Sequence, residues 1–198
     1  MQYYKIIKAD QQWETQWSGG VTRELAIYPS GSSYTNRDFQ VRLSTAKINL
    51  ESSEFTSLPG YTRLIMPLNS NVRLKHEGGS EIELAALKSH TFDGGVQTTS
   101  YGKCTDLNLM LYTGWEGSML AMPPGAAGLF HPGHLMWIYC LHPLTLDCPE
   151  LFPEGRVSLS TGDLFQMKEY QQSLSILIEA DWNARTQVAV FANAWQKR

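Results

Sequence analysis

The stretch Phe39-Gln-Val-Arg-Leu-Ser-Thr-Ala46 alternates apolar and polar side chains along its length. A period of two residues is typical of a β-strand whose two faces meet different surroundings. Phe39 and Leu43 would then share one face, and Arg42 and Ser44 would share the opposite face. The stretch therefore predicts a strand that carries an arginine and a hydroxyl on one side and apolar packing groups on the other.

The stretch Thr105-Asp-Leu-Asn-Leu-Met-Leu111 repeats this alternation. Its leucines share one face, and Asp106, Asn108 and Met110 share the other. Each of the two strands thus places polar side chains beside apolar neighbours. The polar face either lines an internal cavity or faces water, and periodicity alone does not separate these alternatives.

Short runs of the same kind recur along the chain, separated by turn signals such as Pro29-Ser-Gly31, Pro59-Gly60 and Asp93-Gly-Gly95. This arrangement is typical of an all-β sandwich or barrel. Helices are expected to be few and short, with a turn or two at 10–13 and at 180–185. The candidate strands are 3–7, 25–28, 39–47, 63–68, 72–75, 82–87, 105–112, 135–141, 156–159, 164–167, 174–179 and 187–191.

Residues 117–146 contain no Asp, Glu, Lys or Arg. Prolines and glycines interrupt the segment, so it predicts a loop and crossover followed by a buried strand at 135–141, rather than a membrane span. Candidate strands lie on both sides of it. We therefore expect two jelly-roll halves, 1–115 and 116–198, packed as one compact unit.

The composition narrows the classes of function. With 42% hydrophobic residues among 198, the chain can bury a large core, and a net charge of -3 without a basic cluster disfavours nucleic acid and anionic membranes as partners. The N-terminus lacks the apolar segment of a signal peptide, and three widely spaced cysteines do not indicate a disulfide framework. These features predict a cytoplasmic protein. Edge strands and aromatic residues are compatible with a homodimer.

Motifs for metal or nucleophilic chemistry are weak. His131-Pro-Gly-His134, with His142 further on, is the one histidine cluster, but the Pro-Gly pair excludes a helical presentation of both rings. No Gly-x-Ser-x-Gly elbow or phosphate-binding glycine loop occurs. The sequence therefore predicts no metal, no cofactor and no catalytic residue. His76 and His90 are expected to be isolated and exposed.

Arginines in or beside apolar runs are the most informative polar residues. Arg42 lies within one such run, Arg63 follows Pro59-Gly60, and Arg23 precedes a strand. Arginine is seldom buried unless it is paired, and its planar guanidinium suits a carboxylate. Two interpretations stay open: a concave site that binds a small acid, or structural ion pairs and solvent-facing strand positions.

Four motifs together resemble the HutD/Ves family. They cover about half of the chain in the family's order: Trp17-x-Gly19-Gly20-x-Thr22-Arg23-Glu24-Leu25, Phe39-x-Val-Arg42-x-Ser44-x-Ala46, Phe55-Thr-x-Leu-Pro59-Gly60-x-x-Arg63 and Asp106-Leu-Asn108-Leu-Met110. The resemblance implies a bicupin, that is, two antiparallel cupin-type barrels, without the usual cupin metal ligands. HutD proteins are associated with histidine utilisation, where they are thought to bind an acid such as formylglutamate and to moderate the pathway.

The resemblance also implies a ligand-binding set on matching positions. Arg63 would be the main carboxylate-binding group, and Arg42 a second one or the ion-pair partner of Asp106. Asn108 would contact an amide or formyl group, Thr22 would add a hydroxyl, and the two carboxylates would orient the arginines. The set is Thr22, Arg23, Glu24, Arg42, Arg63, Asp106 and Asn108.

The favoured function is a non-enzymatic binding protein for a small carboxylate, modulating histidine utilisation. One alternative is a metal-free isomerase or hydrolase that uses Glu24 or Asp106 as general base. The other, less favoured, is a metal-dependent oxygenase built on His131, His134 and His142.

Overall fold

A computed structural model describes residues 3–153, 155–168, 170–183 and 185–197. The chain is all-β, as predicted, and the helical structure among these residues is one 3-10 turn, Ala9–Gln11. The strands are β1 (Tyr4–Ile7), β2 (Trp13–Trp17), β3 (Gly20–Tyr28), β4 (Val41–Ile48), β5 (Ser52–Glu54), β6 (Tyr61–Pro67), β7 (Val72–His76), β8 (Glu81–Leu84), β9 (His90–Asp93), β10 (Thr98–Tyr101), β11 (Cys104–Tyr112), β12 (Trp115–Met122), β13 (Ala127–Phe130), β14 (Leu135–Cys140), β15 (Leu144–Asp147), β16 (Val157–Leu159), β17 (Leu164–Met167), β18 (Leu174–Glu179) and β19 (Ala189–Gln196).

The chain divides into two compact units. The N-terminal unit is Trp13–Gly117 with Lys197, and the C-terminal unit comprises the described residues of Met1–Gln12 and Ser118–Gln196. Residues 3–12 therefore belong to the C-terminal unit, whereas the predicted N-terminal half was 1–115. The reason is that β1 pairs antiparallel with β17, which satisfies the backbone groups of β1 within the C-terminal unit.

The N-terminal unit contains two antiparallel sheets. One has six strands in the order β2-β3-β4-β11-β6-β9, and the other has four in the order β5-β10-β7-β8. In the larger sheet, β11 lies between β4 and β6, with Met110 opposite both Arg42 and Arg63. Residues directly opposite each other in an antiparallel pair project from the same face, so the two arginines share a face with the polar residues of β11.

Two glycines fix the ends of strands in this sheet. A Cβ at Gly20, where β3 begins, would overlap the carbonyl oxygen of Lys47 on β4, so only glycine permits this close approach. Gly60 precedes β6 with φ of 84°, a left-handed conformation that the turn after Pro59 requires. Gly20 and Gly60 thus lie at the starts of the two strands that carry Thr22 and Arg63.

The C-terminal unit also has two sheets, in the orders β1-β17-β14-β19-β12 and β13-β18-β15-β16. Its core is apolar, with Ile138, Leu164 and Phe165 fully buried. The main cluster consists of Met122, Phe130, Met136, Ile138, Cys140, Leu144, Leu146, Cys148, Leu151, Phe152, Leu159, Phe165, Met167, Leu174, Ile176, Ile178, Val188, Ala189 and Phe191.

Several predictions about local structure were wrong. Residues 115–122 and 127–130 form β12 and β13 instead of a loop and crossover, because the prolines of this segment fall at the turns between strands. Trp13 begins β2 instead of ending a helical turn, since its backbone pairs with β3. The helical turn predicted at 180–185 is not formed by the described residues there, and Ala184 lies outside them.

No helix in the part of the chain that the structure describes is long and apolar enough to cross a membrane.

Candidate functional site

A cavity of about 490 Å³ opens on one face of the six-stranded sheet of the N-terminal unit. We call this face of the sheet the cavity face and define it by Arg42, Arg63, Asp106 and Asn108. Strand β5 and the loops at 32–35 and 55–56 complete the walls. The lining residues are Trp13, Thr15, Trp17, Thr22, Glu24, Ser32, Ser33, Tyr34, Thr35, Arg42, Ser44, Ala46, Ile48, Ser53, Glu54, Phe55, Thr56, Arg63, Asp106, Asn108 and Met110.

Strand register brings the site together from four strands. Asn108 on β11 lies opposite Ser44 on β4, which in turn lies opposite Glu24 on β3. Two residues along β11 and on the same face, Asp106 lies opposite Ala46. The polar face of β4 and β11 therefore lines a cavity and does not face water, which settles the question that periodicity left open.

Neighbouring side chains bind Arg42. Its Nε lies 2.8 Å from Oε2 of Glu24, and its Nη1 donates to Oγ of Ser44 at 3.0 Å. The guanidinium also lies over the ring of Tyr34, 4.5 Å from the centroid. Of the two roles expected for Arg42, the ion pair with Asp106 is not formed, because Glu24 on the adjacent strand β3 is the partner and neutralises Arg42 in the wall of the cavity.

Arg63 is in the opposite situation. Its side chain is 4% exposed, yet its one hydrogen bond among the described residues is a long one, from Nη1 to the carbonyl of Thr56 at 3.4 Å. Its Nε has no protein partner there. The guanidinium lies 4.7 Å from the ring centroid of Phe55 and 5.5 Å from that of Phe92. Burial lowers the pKa of Arg63, although Tyr34 and Asp106 oppose this.

Asp106 and Asn108 each present an oxygen without a hydrogen-bond partner among the described residues, Oδ1 in both cases. Asp106 is 1% exposed and Asn108 is 5% exposed. Burial raises the pKa of the Asp106 carboxyl to about 7, and the charge of Arg63 offsets only part of that rise. Of the two carboxylates expected to orient the arginines, Glu24 bonds to Arg42, whereas Asp106 acts on Arg63 through its charge, without a hydrogen bond to it. The carboxyl of Asp106 stays uncommitted on the wall.

Of the seven residues in the predicted set, six line the cavity and one does not. Arg23 points away from it, because successive side chains of β3 alternate between faces, and its Nε pairs at 2.9 Å with Oε2 of Glu14 on the exposed surface. Thr22 and Glu24 lie on the cavity side. Arg23 thus stands beside the site in sequence but not in space.

The sequence reasoning missed the outer wall of the cavity. Trp13 and Trp17 on β2, Phe55, and the loop that carries Tyr34 all contribute to it. The spacing of Trp-Glu-Thr-Gln-Trp was the available signal, because Trp13, Thr15 and Trp17 fall on one face of a strand. Trp13 is 76% exposed, which is unusual for so large an apolar side chain and places an aromatic surface at the rim.

The donor groups of the cavity do not fit a divalent metal. Asp106 and Asn108 stand beside the buried cation of Arg63, and Glu24 is bound to Arg42. Within the described ranges, no group of three or more His, Cys, Asp or Glu is arranged to hold a metal ion.

The C-terminal histidines do not form such a site either. The rings of His131 and His134 are 5.4 Å apart, but His142 packs separately on Trp182, at 4.3 Å between ring centroids. The three side chains that the oxygenase hypothesis needs are thus not gathered around one point.

His76 and His90 are not isolated, contrary to expectation. Their Nε2 atoms are 2.9 Å apart, and Nδ1 of His76 lies 2.8 Å from Oγ1 of Thr98. Both rings pack near Phe92, which also contacts Arg63. Strand pairing of β6 with β9 and of β7 with β10 produces this arrangement.

Known structures show which fold this architecture represents. HutD from Pseudomonas fluorescens SBW25 (formate condition) superposes with a TM-score of 0.77 at 19% identity, over 98% of this chain and 100% of that one. A conserved protein of unknown function from Pseudomonas aeruginosa PAO1 gives 0.78 at 19% identity, over 98% and 99%. The bacterial pirin YhhW from Escherichia coli, in complex with nickel(II), gives 0.64 at 11% identity, over 98% and 100%.

No curated protein sequence matches this chain. The structural neighbours include the cupin-type pirin and oxalate decarboxylase folds, so the fold is the predicted cupin-type bicupin. The HutD family model matches residues 9–185. The chain belongs to the HutD family.

Proposed function

We propose that this protein binds a small carboxylate in the cavity of the N-terminal unit, with Arg63 as the principal binding group and without catalysing a reaction. The observation that supports this most strongly is the state of Arg63, a buried guanidinium without a carboxylate partner among the described residues. Arg42, in the same cavity wall, differs from Arg63 because it forms an ion pair with the carboxylate of Glu24.

The physical argument concerns the cost of an uncompensated charge. Taking an ion out of water costs several kcal/mol, roughly, unless a counter-charge and hydrogen bonds replace its hydration. Two aromatic faces offset part of that cost for Arg63. A ligand carboxylate would supply both the charge and the acceptors that Nε lacks, through the parallel geometry that guanidinium and carboxylate favour.

Membership in the HutD family supports a more specific assignment, to an acid of histidine utilisation such as formylglutamate. Under this proposal the protein works in the cytoplasm and moderates the pathway by binding, with the small anion as its partner. The cavity volume of about 490 Å³ lies in the range of pockets that enclose small molecules.

The test is isothermal titration of the purified protein with formylglutamate, glutamate, glutarate, succinate and propionate. Arg63→Ala should weaken the tightest of these by about 2–5 kcal/mol, because a desolvated charge pair loses one partner. Arg73→Ala is the matched control, since Arg73 belongs to the same unit but forms an exposed pair with Glu81. An unchanged affinity in Arg63→Ala, or an equal loss in both variants, would contradict the proposal.

The second candidate function is that of a metal-free enzyme. The observation that favours it is the buried carboxyl of Asp106 in the cavity. A buried carboxyl whose pKa is about 7, in a cavity beside an arginine, is suited to general acid–base work near neutral pH. Glu24 is less suited, because Arg42 holds it. Turnover of a bound acid that disappears in Asp106→Asn, with binding retained, would establish this candidate; unchanged ligand after prolonged incubation would oppose it.

A further inference from the structure

We propose that strand β2 pairs antiparallel with β2 of a second copy of this chain, so that the six-stranded sheets of the two copies join into one continuous sheet. The strand is Trp13-Glu-Thr-Gln-Trp17, and the two-fold axis passes through Thr15. The pairing goes beyond the proposed ligand binding and needs no ligand in the cavity.

Strand β2 is an unprotected edge of its sheet. Among the strands that the structure describes, β3 is its one neighbour in the sheet, and all five residues of β2 are exposed. Proteins commonly protect such an edge with lysine, proline or a β-bulge. The sequence of β2 contains neither lysine nor proline, and its register with β3 is regular throughout. The backbone groups on its outer side are therefore available to another strand.

The edges of the smaller sheet in the same unit are different. Strand β8 carries Glu81 and Glu83, whose charges disfavour pairing, and β5 is only three residues long. Short or charged edges of this kind resist the addition of a strand. The contrast favours β2 as the strand that pairs.

The occupant follows from the sequence of β2, which is nearly a palindrome about Thr15. Antiparallel pairing about this residue places Trp13 opposite Trp17 of the second copy. It also places Glu14 opposite Gln16, so that no like charges oppose each other. A register centred on Glu14 would bring two glutamates together and would pair only three residues. The register through Thr15 pairs all five, which makes β2 complementary to itself.

On the cavity face, pairing would extend features that the single chain already has. Thr15 lies opposite Thr22 on β3, so two copies would form a row of four threonines across the axis. Trp13 is 76% exposed, and contact with Trp17 of the second copy would cover part of its ring. Because Trp13, Thr15 and Trp17 line the cavity, each copy would add to the outer wall of the other copy's cavity.

On the opposite face, pairing would leave no charge without a partner. The carboxylate of Glu14 is already bound to Nε of Arg23 at 2.9 Å. The amide group of Gln16 from the second copy would approach the same carboxylate and can donate a further hydrogen bond. The one charged residue of β2 is therefore compatible with the pair.

The small size of this contact sets its expected strength. Stable complexes bury about 1,200–2,000 Å² in total, and two five-residue strands cover less than that. We therefore expect a reversible dimer whose fraction rises with protein concentration.

Sedimentation velocity from about 1 μM to about 1 mM tests the pairing, and the average mass should rise from that of one chain towards that of two. Thr15→Lys and Thr15→Glu should each raise the dissociation constant at least about ten-fold, because like charges would face each other at the axis. An equimolar mixture of these two variants should restore the dimer, since lysine then faces glutamate. Ser158→Lys is the matched control, because Ser158 is an exposed hydroxyl on the edge strand β16 of the C-terminal unit.

A cross-link provides a second measurement of the register. Residues directly opposite each other in antiparallel strands have Cα atoms about 4.5–5.5 Å apart, which a disulfide can span. Under mild oxidation, Thr15→Cys should therefore form a covalent dimer, whereas Ser158→Cys should not. The background is low because Cys104, Cys140 and Cys148 are buried.

The proposal would be overturned by a protein that stays monomeric over the whole range and by Thr15→Cys that forms no cross-link. A dimer that neither charged variant weakens, or that Ser158→Lys weakens equally, would also overturn it. Charged variants that stay monomeric when mixed would overturn the register through Thr15. Thermal denaturation verifies that each variant is folded, and the cross-link tests the register should a charged variant prove unfolded.

Discussion

The two units contain the same kind of architecture, a pair of antiparallel sheets, but their buried aspartates are in opposite states. In the C-terminal unit, Asp163 accepts from Lys8 Nζ at 2.7 Å and from the backbone N–H groups of Ala9 and Ser160 at 3.1 and 3.0 Å. In the N-terminal unit, Oδ1 of Asp106 accepts from no described group. The protein satisfies one aspartate with its own donors and leaves an oxygen of the other without one.

The pKa values of the two carboxyl groups follow from their surroundings. Burial raises the pKa of Asp163, but the bonds from Lys8, Ser160 and Ala9 outweigh it, and the net shift is downward. For Asp106 burial dominates and the net shift is upward, to about 7. A carboxylate that the protein itself satisfies stabilises the fold, whereas one left unsatisfied costs stability and is retained where a ligand can complete it.

The largest expected effect tests the packed unit. Phe165 is fully buried against Tyr4, Phe130 and Phe152. Phe165→Ala should lower the free energy of unfolding by about 3–5 kcal/mol, because the cavity left behind cannot collapse. Urea unfolding monitored by circular dichroism measures the change. A loss below 1 kcal/mol would show that this core is loosely packed.

Asp106→Asn should instead stabilise the ligand-free protein at pH 8, by at most about 4 kcal/mol. The folded pKa lies above the unfolded one, so the unfolded state releases its proton first, and stability falls as pH rises from about 4 to about 7. The gain in the variant should therefore vanish near pH 4. Thermal unfolding across this range measures it, and a destabilised variant at pH 8 would refute the assignment of Asp106 as an unsatisfied group.

The matched substitution Asp163→Asn should have the opposite sign and cost about 1–3 kcal/mol, since three hydrogen bonds to an ionised carboxylate are weakened. Here the folded pKa is depressed, so the contribution is present above the unfolded pKa near 4 and lost as pH falls through the folded value. The same unfolding experiment applies. If Asp106→Asn and Asp163→Asn changed the free energy of unfolding in the same direction, the contrast between the two units would be wrong.

The smallest expected effect concerns the histidine pair in the N-terminal unit. Burial lowers the pKa of both His76 and His90, and the proximity of His76 lowers that of His90 further. Because the unfolded state then binds more protons, stability should fall as pH drops below about 6.5. His90→Gln should flatten this part of the pH profile. A profile that stays unchanged in the variant would mean that the pair does not couple to folding.

The sequence predicted which polar residues share a strand face better than it predicted the elements that surround them. Alternation in β4 and β11 correctly placed Arg42 with Ser44 and Asp106 with Asn108 on common faces, since a period of two is a local property of a strand. Whether that face meets a cavity depends on β5 and on distant loops, which no local pattern encodes. Arg23 was misplaced for the same local reason that Thr22 was placed well: adjacent residues of β3 point in opposite directions.

Other features depended on tertiary partners and escaped sequence reasoning. Strand β2 has every residue exposed, so it lacks the buried face that identifies a strand, and its Trp13 and Trp17 were not recognised as cavity walls. The choice of Glu24 over Asp106 as the partner of Arg42 follows from strand register, because β3 and β11 both flank β4. Glu24 lies opposite Ser44, two residues from Arg42, whereas Asp106 lies opposite Ala46, four residues away, and spacing in the sequence does not reveal this register.

The most direct test of the central claim is a crystal structure of the protein with the tightest-binding acid of the titration series. The account predicts a carboxylate within about 3 Å of Arg63 Nε, in the cavity of the N-terminal unit, with Arg42 still bound to Glu24. A ligand found at surface arginines, or one whose carboxylate lies away from Arg63, would contradict it.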